Sequence, residues 1–298
     1  MNRITLMELV RERQVGKVDR REFLIRAMAV LGSAAAANTL LAACAPVADR
    51  TPPPVVDSTQ PPPEPGLSTT GDLETGIVTY AGPEEELMGY LARLPGAQPQ
   101  PAVIVIQEWW GLNDHIKDVT RRFAEEGYVA LAPDLYHGQV TTEPDEARKL
   151  AMELGMGDAV AEIQAAMAYL RAQGFTTDQI GIIGFCMGGG LVLETAVADN
   201  TLSAAVPLYG QPVGKTEAGQ ISAPVLSFLG TRDGISVSGY DVMHDVLEVN
   251  GIPNHFQIYD GAQHAFFNDT RASYDPNAAA DAWMRTLAWF GEYLNPTV

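Results

Sequence analysis

The chain has 298 residues, 46% hydrophobic and 19% charged, enough for one large globular domain with a substantial core and not comfortably two. Before Cys44, seven Lys and Arg face four Asp and Glu, a net +3, so with a total of −18 the rest of the chain carries −21. A body that acidic repels phosphate backbones, which argues against nucleic acid as a partner, and it slows anionic small molecules within the range that salt leaves unscreened.

At the N-terminus, Arg20-Arg21-Glu22-Phe23-Leu24 precedes an alanine-rich apolar run from Ala27 to Ala43, too short and too small-residued for a permanent membrane span. A charged segment, a modest apolar segment and a small-residue end are the marks of a signal peptide. The paired arginines resemble the twin-arginine export signal, and Leu41-Ala42-Ala43-Cys44 resembles a bacterial lipoprotein processing site. That resemblance implies that residues 1–43 are cut off, that Cys44 is lipid-modified, and that the protein is exported and held on a membrane facing the periplasm or the cell exterior. Residues 44–73 hold Pro52-Pro53-Pro54 and Pro61-Pro62-Pro63-Glu64-Pro65-Gly66 with Ser and Thr between. Such a segment cannot bury enough apolar surface to offset the entropy of ordering, and it reads as an extended tether. The folded domain is expected over residues 74–298.

Within that domain, Ile77–Gly82 and Leu87–Leu94 predict an antiparallel pair ending at Pro95-Gly96. Ala102–Ile106 is a continuous β-branched run suited to a strand buried on both faces. Asn113 is placed to cap a helix running to Glu126 and closed by Gly127. A strand over Tyr128–Ala132 follows, then helices over Asp145–Leu154 and Asp158–Gln173. Strands over Ile180–Gly184, Ala204–Leu208, Val225–Leu229 and Phe256–Tyr259 are interspersed with a helix after Cys186 and helices over Val237–Asn250 and Ala278–Leu294. Alternation of this kind predicts the α/β class, a mostly parallel sheet with helices on both faces.

Gly184-Phe185-Cys186-Met187-Gly188-Gly189-Gly190 lies between a predicted buried strand and a helix. This is the nucleophile-elbow pattern with cysteine in the nucleophile position. The flanking positions lack side chains because the turn is sharp and other backbone must approach it. The helix start behind Cys186 favours a thiolate and offers free N–H groups to an oxyanion. No P-loop and no Gly-x-Gly-x-x-Gly is present, which argues against a phosphate cradle. Downstream, Asp233 follows the strand Val225–Leu229 and His264 follows Phe256–Tyr259, in the chain order nucleophile, acid, histidine. His264 can take the thiol proton and Asp233 can fix its tautomer. His115, His244 and His255 read as packing or solvated residues, whereas His137 follows a strand end and could line a pocket. Clustered Cys/His and His-Glu-x-x-His are absent, so neither metal nor cofactor is expected. Cys44 and Cys186 sit in separate contexts and are not expected to pair.

With Cys186 at the elbow, the sequence resembles the dienelactone hydrolase family over roughly residues 75–294. The resemblance is carried by Gln107-Glu108-Trp109-Trp110-Gly111-Leu112-Asn113, Ala132-Pro133-Asp134-Leu135-Tyr136, Gly184–Gly190, Gly230–Asp233 and Gly261–Phe266. It implies the α/β-hydrolase fold and hydrolysis of an ester or lactone through an acyl-enzyme, as in carboxymethylenebutenolidases. It also implies that Glu108 holds the resting thiol and accepts its proton on substrate binding, and that the backbone N–H groups of Trp109 and Met187 form the oxyanion hole. Trp110, Tyr136 and Arg148 are candidates for the substrate pocket, the tryptophan pair being equally suited to packing. Family members specific for dienelactone carry an arginine four residues after the histidine; here Asn268 stands there. Arg148 or Arg271 is left to substitute for it.

A small ester or lactone is thus the expected partner of a monomeric enzyme. The alternatives are a general carboxylesterase or thioesterase for neutral esters, a peptidase on the same fold, and a membrane-tethered binding protein with a dormant hydrolase fold.

Overall fold

Continuous apolar runs at the centre of the sequence become strands buried on both faces, and they set where everything else packs. The computed structural model describes residues 66–96 and 98–294. The segment 1–43, Cys44 and residues 45–65 of the expected linker lie outside the described residues. Among the described residues nine strands form one sheet: β1 (Gly66–Thr70), β2 (Leu73–Ala81), β3 (Glu86–Arg93), β4 (Gln100–Ile106), β5 (Val129–Pro133), β6 (Thr176–Phe185), β7 (Ala204–Leu208), β8 (Val225–Arg232) and β9 (Asn254–Gln263). Their order across the sheet is β1-β2-β3-β5-β4-β6-β7-β8-β9. β4 to β9 pair parallel, and β1 to β3 add an antiparallel flank. All five residues of β5 and of β7, and residues 101–106 of β4, are buried, as a central parallel sheet requires.

Among the described residues seven helices accompany the strands: α1 (Asp114–Glu125), α2 (Pro144–Glu153), α3 (Met156–Arg171), α4 (Met187–Ala198), α5 (Lys215–Ala218), α6 (Val237–Val249) and α7 (Pro276–Leu294). Asn113 caps α1 by accepting from the Ile116 N–H at 3.2 Å. Two glycines of β6 show that both faces of the sheet are covered. A Cβ on Gly181 would meet Phe290 and Leu294 of α7 at 2.8 Å, and one on Gly184 would meet Gly188 and Val192 of α4. Being three residues apart on a strand, they point to opposite faces. Phe123 of α1 packs on Trp283 and Phe290 of α7, with ring centroids 4.6 and 5.8 Å apart, so α1 shares the α7 face.

Two expectations need correction. The linker expected to run to residue 73 ends earlier, because Gly66–Thr70 pair with Leu73–Ile77 as an edge strand. Residues 66–69 are exposed, so β1 is held by backbone hydrogen bonds and carries no alternation of hydrophobicity that would betray it. The short helix α5 was not expected either; at four residues it is below the length at which periodicity is legible.

Candidate active site

The chain leaves β4 to one side of the sheet, through α1 to β5, and then crosses back through α2 and α3 to β6 on the other side. That reversal makes the crevice at the carboxyl ends of β4 and β6 the place where an open α/β sheet binds ligands. Strand register decides which residues meet there. Ile106 pairs with Gly184, so Glu108 and Cys186 each stand two residues beyond a paired position on neighbouring strands. Arg232 pairs with Gln263, so Asp233 and His264 each stand one residue beyond theirs.

Cys186 adopts φ 58° and ψ −117°, a left-handed conformation that is costly for a residue with a Cβ. Its amide donates to the Leu208 carbonyl at 3.1 Å, and its carbonyl accepts from Gly189 and Gly190 at 3.0 and 3.3 Å. Those bonds hold the turn, leaving the half-buried thiol free to face His264, with which it shares a hydrogen bond. His264 Nδ1 lies 2.8 Å from Asp233 Oδ1. The Asp233 carboxylate is fully buried and its Oδ2 finds no protein partner, while the imidazole is 38% exposed. Burial opposes charge on His264, yet the hydrogen bonds to Asp233 and Cys186 and the charges of both push its pKa up to about 10. Met187 is the first residue of α4, so its N–H lies in the turn that has no intrahelical acceptor. Trp109 follows Glu108 in the turn after β4, across from that helix start.

Glu108 is 1% exposed, and its Oε2 accepts from the Asn268 side-chain amide at 2.6 Å. Burial raises its pKa above the ordinary carboxylate range, against the pull of the Asn268 hydrogen bond and the positive charges of Arg271 and His264. This corrects the expectation that Glu108 holds the resting thiol. Here the thiol is turned to His264, and the carboxylate to Asn268.

The pocket candidates divide. Tyr136 is buried, with its hydroxyl 3.4 Å from the Met187 sulfur, so it touches the oxyanion side of the site. Trp110 packs edge-on to Trp109 and lies under the Arg271 guanidinium, 3.9 Å from the ring centre. Arg148 does not reach the site. It is exposed and paired with Asp145 at 3.8 Å, because α2 turns Ala147 and Leu150 inward and leaves position 148 on the solvent side. Tyr136 and His137 also line a cavity of about 280 Å³ whose walls include Leu150, Leu154 and the acids Glu153, Asp158 and Glu162.

Tyr209 belongs to the site and carries no sequence signal. It stands just past β7 with φ 39°, is fully buried, and packs its ring against His264 at 5.1 Å. Burial, then the charges of Glu108, Cys186 and Asp233, hold its phenol well above the ordinary range. Among the other histidines, His244 bridges Asn254 and Ser227 inside the fold, and His115 is buried beside Asp269. Among the described residues no group of His, Cys, Asp and Glu is placed to hold a metal ion.

The profile of the dienelactone hydrolase family matches residues 87–294. Protein usf of Aquifex pyrophilus is 38% identical over 206 residues, covering 65% of this chain and 89% of its own. A protein provisionally named carboxymethylenebutenolidase from Synechocystis is 34% identical over 241 residues, covering 74% of this chain and 98% of its own. Among solved structures, one provisionally titled a dienelactone hydrolase, from Klebsiella pneumoniae, superposes with a TM-score of 0.69 at 32% identity, covering 74% of this chain and 99% of its own. A dienelactone hydrolase-like promiscuous phosphotriesterase from metagenomic libraries gives the same score at 26% identity, over 75% and 99% of the two chains.

Proposed function

We propose a thiol mechanism for this chain, which belongs to the dienelactone hydrolase family and is accordingly a hydrolase of the carboxymethylenebutenolidase kind. Cys186 attacks the carbonyl carbon of an ester or lactone while His264 takes the thiol proton. The oxyanion that forms is held by the N–H groups of Met187 and Trp109. Collapse breaks the ester C–O bond, His264 returns the proton to the leaving alkoxide, and an acyl-Cys186 remains. Water, deprotonated by His264, then releases the acid and regenerates the thiol. Asp233 holds the imidazole in the tautomer these steps need.

The observation that carries this reading is a cysteine in a strained elbow, hydrogen-bonded to a histidine that is itself 2.8 Å from a buried aspartate. The test is a panel of esters and lactones assayed with wild type and Cys186→Ala. Removing a nucleophile of a triad is expected to cost roughly 10³-fold or more. Wild-type turnover by Cys186→Ala would sink the mechanism.

Neutral esters are the favoured substrates. The chain from Cys44 onward carries −21, which disfavours anionic substrates, and Asn268 stands where family members specific for dienelactone carry an arginine. Faster turnover of an anionic lactone than of a neutral aryl ester would overturn that preference. We further propose that the domain works on a membrane, exported by the Arg20-Arg21 signal and anchored through a lipid on Cys44; the order and spacing of those sequence features support this.

A further inference from the structure

A carboxylate as buried as Glu108 needs a donor, since leaving it unpaired is costly. Its donor is fixed in direction. Asn268 is fully buried, and its Oδ1 accepts from both the Thr270 N–H at 3.0 Å and the Thr270 hydroxyl at 2.6 Å. That occupies the oxygen end of the amide, so the end facing Glu108 is the NH₂, which can only donate. The backbone of Asn268 is tied in turn, its N–H to the Ala265 carbonyl at 3.1 Å and its carbonyl to the Arg271 N–H at 3.0 Å. The loop that carries His264 is thereby fastened to the end of β4. The charged and titratable groups around Glu108 are Arg271 and His264 from this same loop and Tyr209 from the end of β7, with Cys186 of the elbow bonded to His264.

We infer that Asn268 is a positioning residue for hydrolysis: its amide N–H holds the Glu108 carboxylate toward the His264 loop, which leaves Cys186 to pair with His264. The inference rests on Cys186 being the nucleophile. A carboxylate held there attracts the imidazolium that forms when His264 takes the thiol proton, without competing for the thiol itself. Freed from Asn268, it can bond the thiol and displace His264.

Asn268→Asp is the discriminating substitution. It keeps an oxygen for Thr270 but turns the donor facing Glu108 into an acceptor. Two carboxyl groups at that distance share one proton at low pH and lose it as pH rises. Relative to wild type, kcat/KM on p-nitrophenyl acetate should therefore fall about tenfold or more between pH 6 and pH 9, tenfold being the effect of one pKa unit. The double variant Glu108→Gln, Asn268→Asp restores the bond in reverse, the new carboxamide donating to the new carboxylate. Its thermal midpoint should not share the loss that the single variant shows toward pH 9. A pH-independent activity ratio overturns the inference, as does a single variant that fails to fold and is not rescued by the double. Cys186→Ala, assayed alongside, separates the two claims: if it is inactive, a flat ratio counts against Asn268 alone, and if it is active, the nucleophile is wrong.

Discussion

The partners of His264 favour its charged form, and that has consequences for stability as well as for catalysis. Its pKa of about 10 in the folded state lies above the ordinary 6.5, so the pairing with Asp233 and Cys186 stabilises the fold fully below pH 6.5. The contribution is lost as pH rises from 6.5 through 10. Urea unfolding of wild type and His264→Gln across that range checks the sign: the wild-type advantage should shrink with rising pH, and an advantage that grew would mean the histidine is neutral. The imidazole is 38% exposed, so solvent screening keeps the effect modest. Cys186→Ala should lower the His264 titration midpoint, followed by NMR of the ring, because the Cys186 sulfur supplies a hydrogen bond and, when ionised, a negative charge. Combining Cys186→Ala with His264→Ala should cost little more activity than either alone, since the two act as a unit.

At the scale of elements, the glycines after Cys186 are not equivalent. A Cβ on Gly188 would stand 2.5 Å from the Gln107 carbonyl and 2.7 Å from that of Ile106, both backbone atoms that cannot yield. A Cβ on Gly190 would meet nothing closer than 3.7 Å. Gly188→Ala should accordingly destabilise by about 1–3 kcal/mol and lower turnover by displacing the elbow from β4. Gly190→Ala should be neutral, or stabilise by up to about 1 kcal/mol through helix propensity. Thermal melts of the two variants give the comparison, and equal losses would refute this account of the turn. The sequence Met187-Gly188-Gly189-Gly190 cannot distinguish them, because the distinction lies in the neighbouring strand. The same limit explains what else was illegible. The central strands, the elbow and the order Cys186, Asp233, His264 follow from local patterns of hydrophobicity and turn residues. Tyr209 and the Asn268–Glu108 bond depend on partners far away in the chain, 160 residues apart for the Asn268 pair, while β1 pairs with its neighbour but carries no alternation of hydrophobicity to mark it. The charge of Arg148 does not place it at the site, because the face of α2 on which it falls points to solvent.

For the molecule as a whole, the proposed anchor makes a prediction that does not depend on catalysis. Stable attachment takes more than one acyl chain, which a lipid-modified Cys44 would carry. Cys44→Ala should move the protein from the membrane pellet to the soluble fraction while leaving specific activity on p-nitrophenyl acetate unchanged. Equal pelleting of the variant would count against a lipid anchor.

The placement of the triad across the sheet has a further consequence. Cys186 rises from the buried centre, but Asp233 and His264 follow β8 and β9, and β9 is an edge strand, paired on one side and largely half-exposed. Edge elements with few buried apolar contacts open at lower free energy than the core. Catalytic competence therefore belongs to a weaker cooperative unit than the one that holds the fold. Amide exchange should be faster along β9 than along β6. In a urea series, hydrolysis should fail at a lower concentration than far-UV circular dichroism, giving an inactive protein that is still folded and regains activity on dilution.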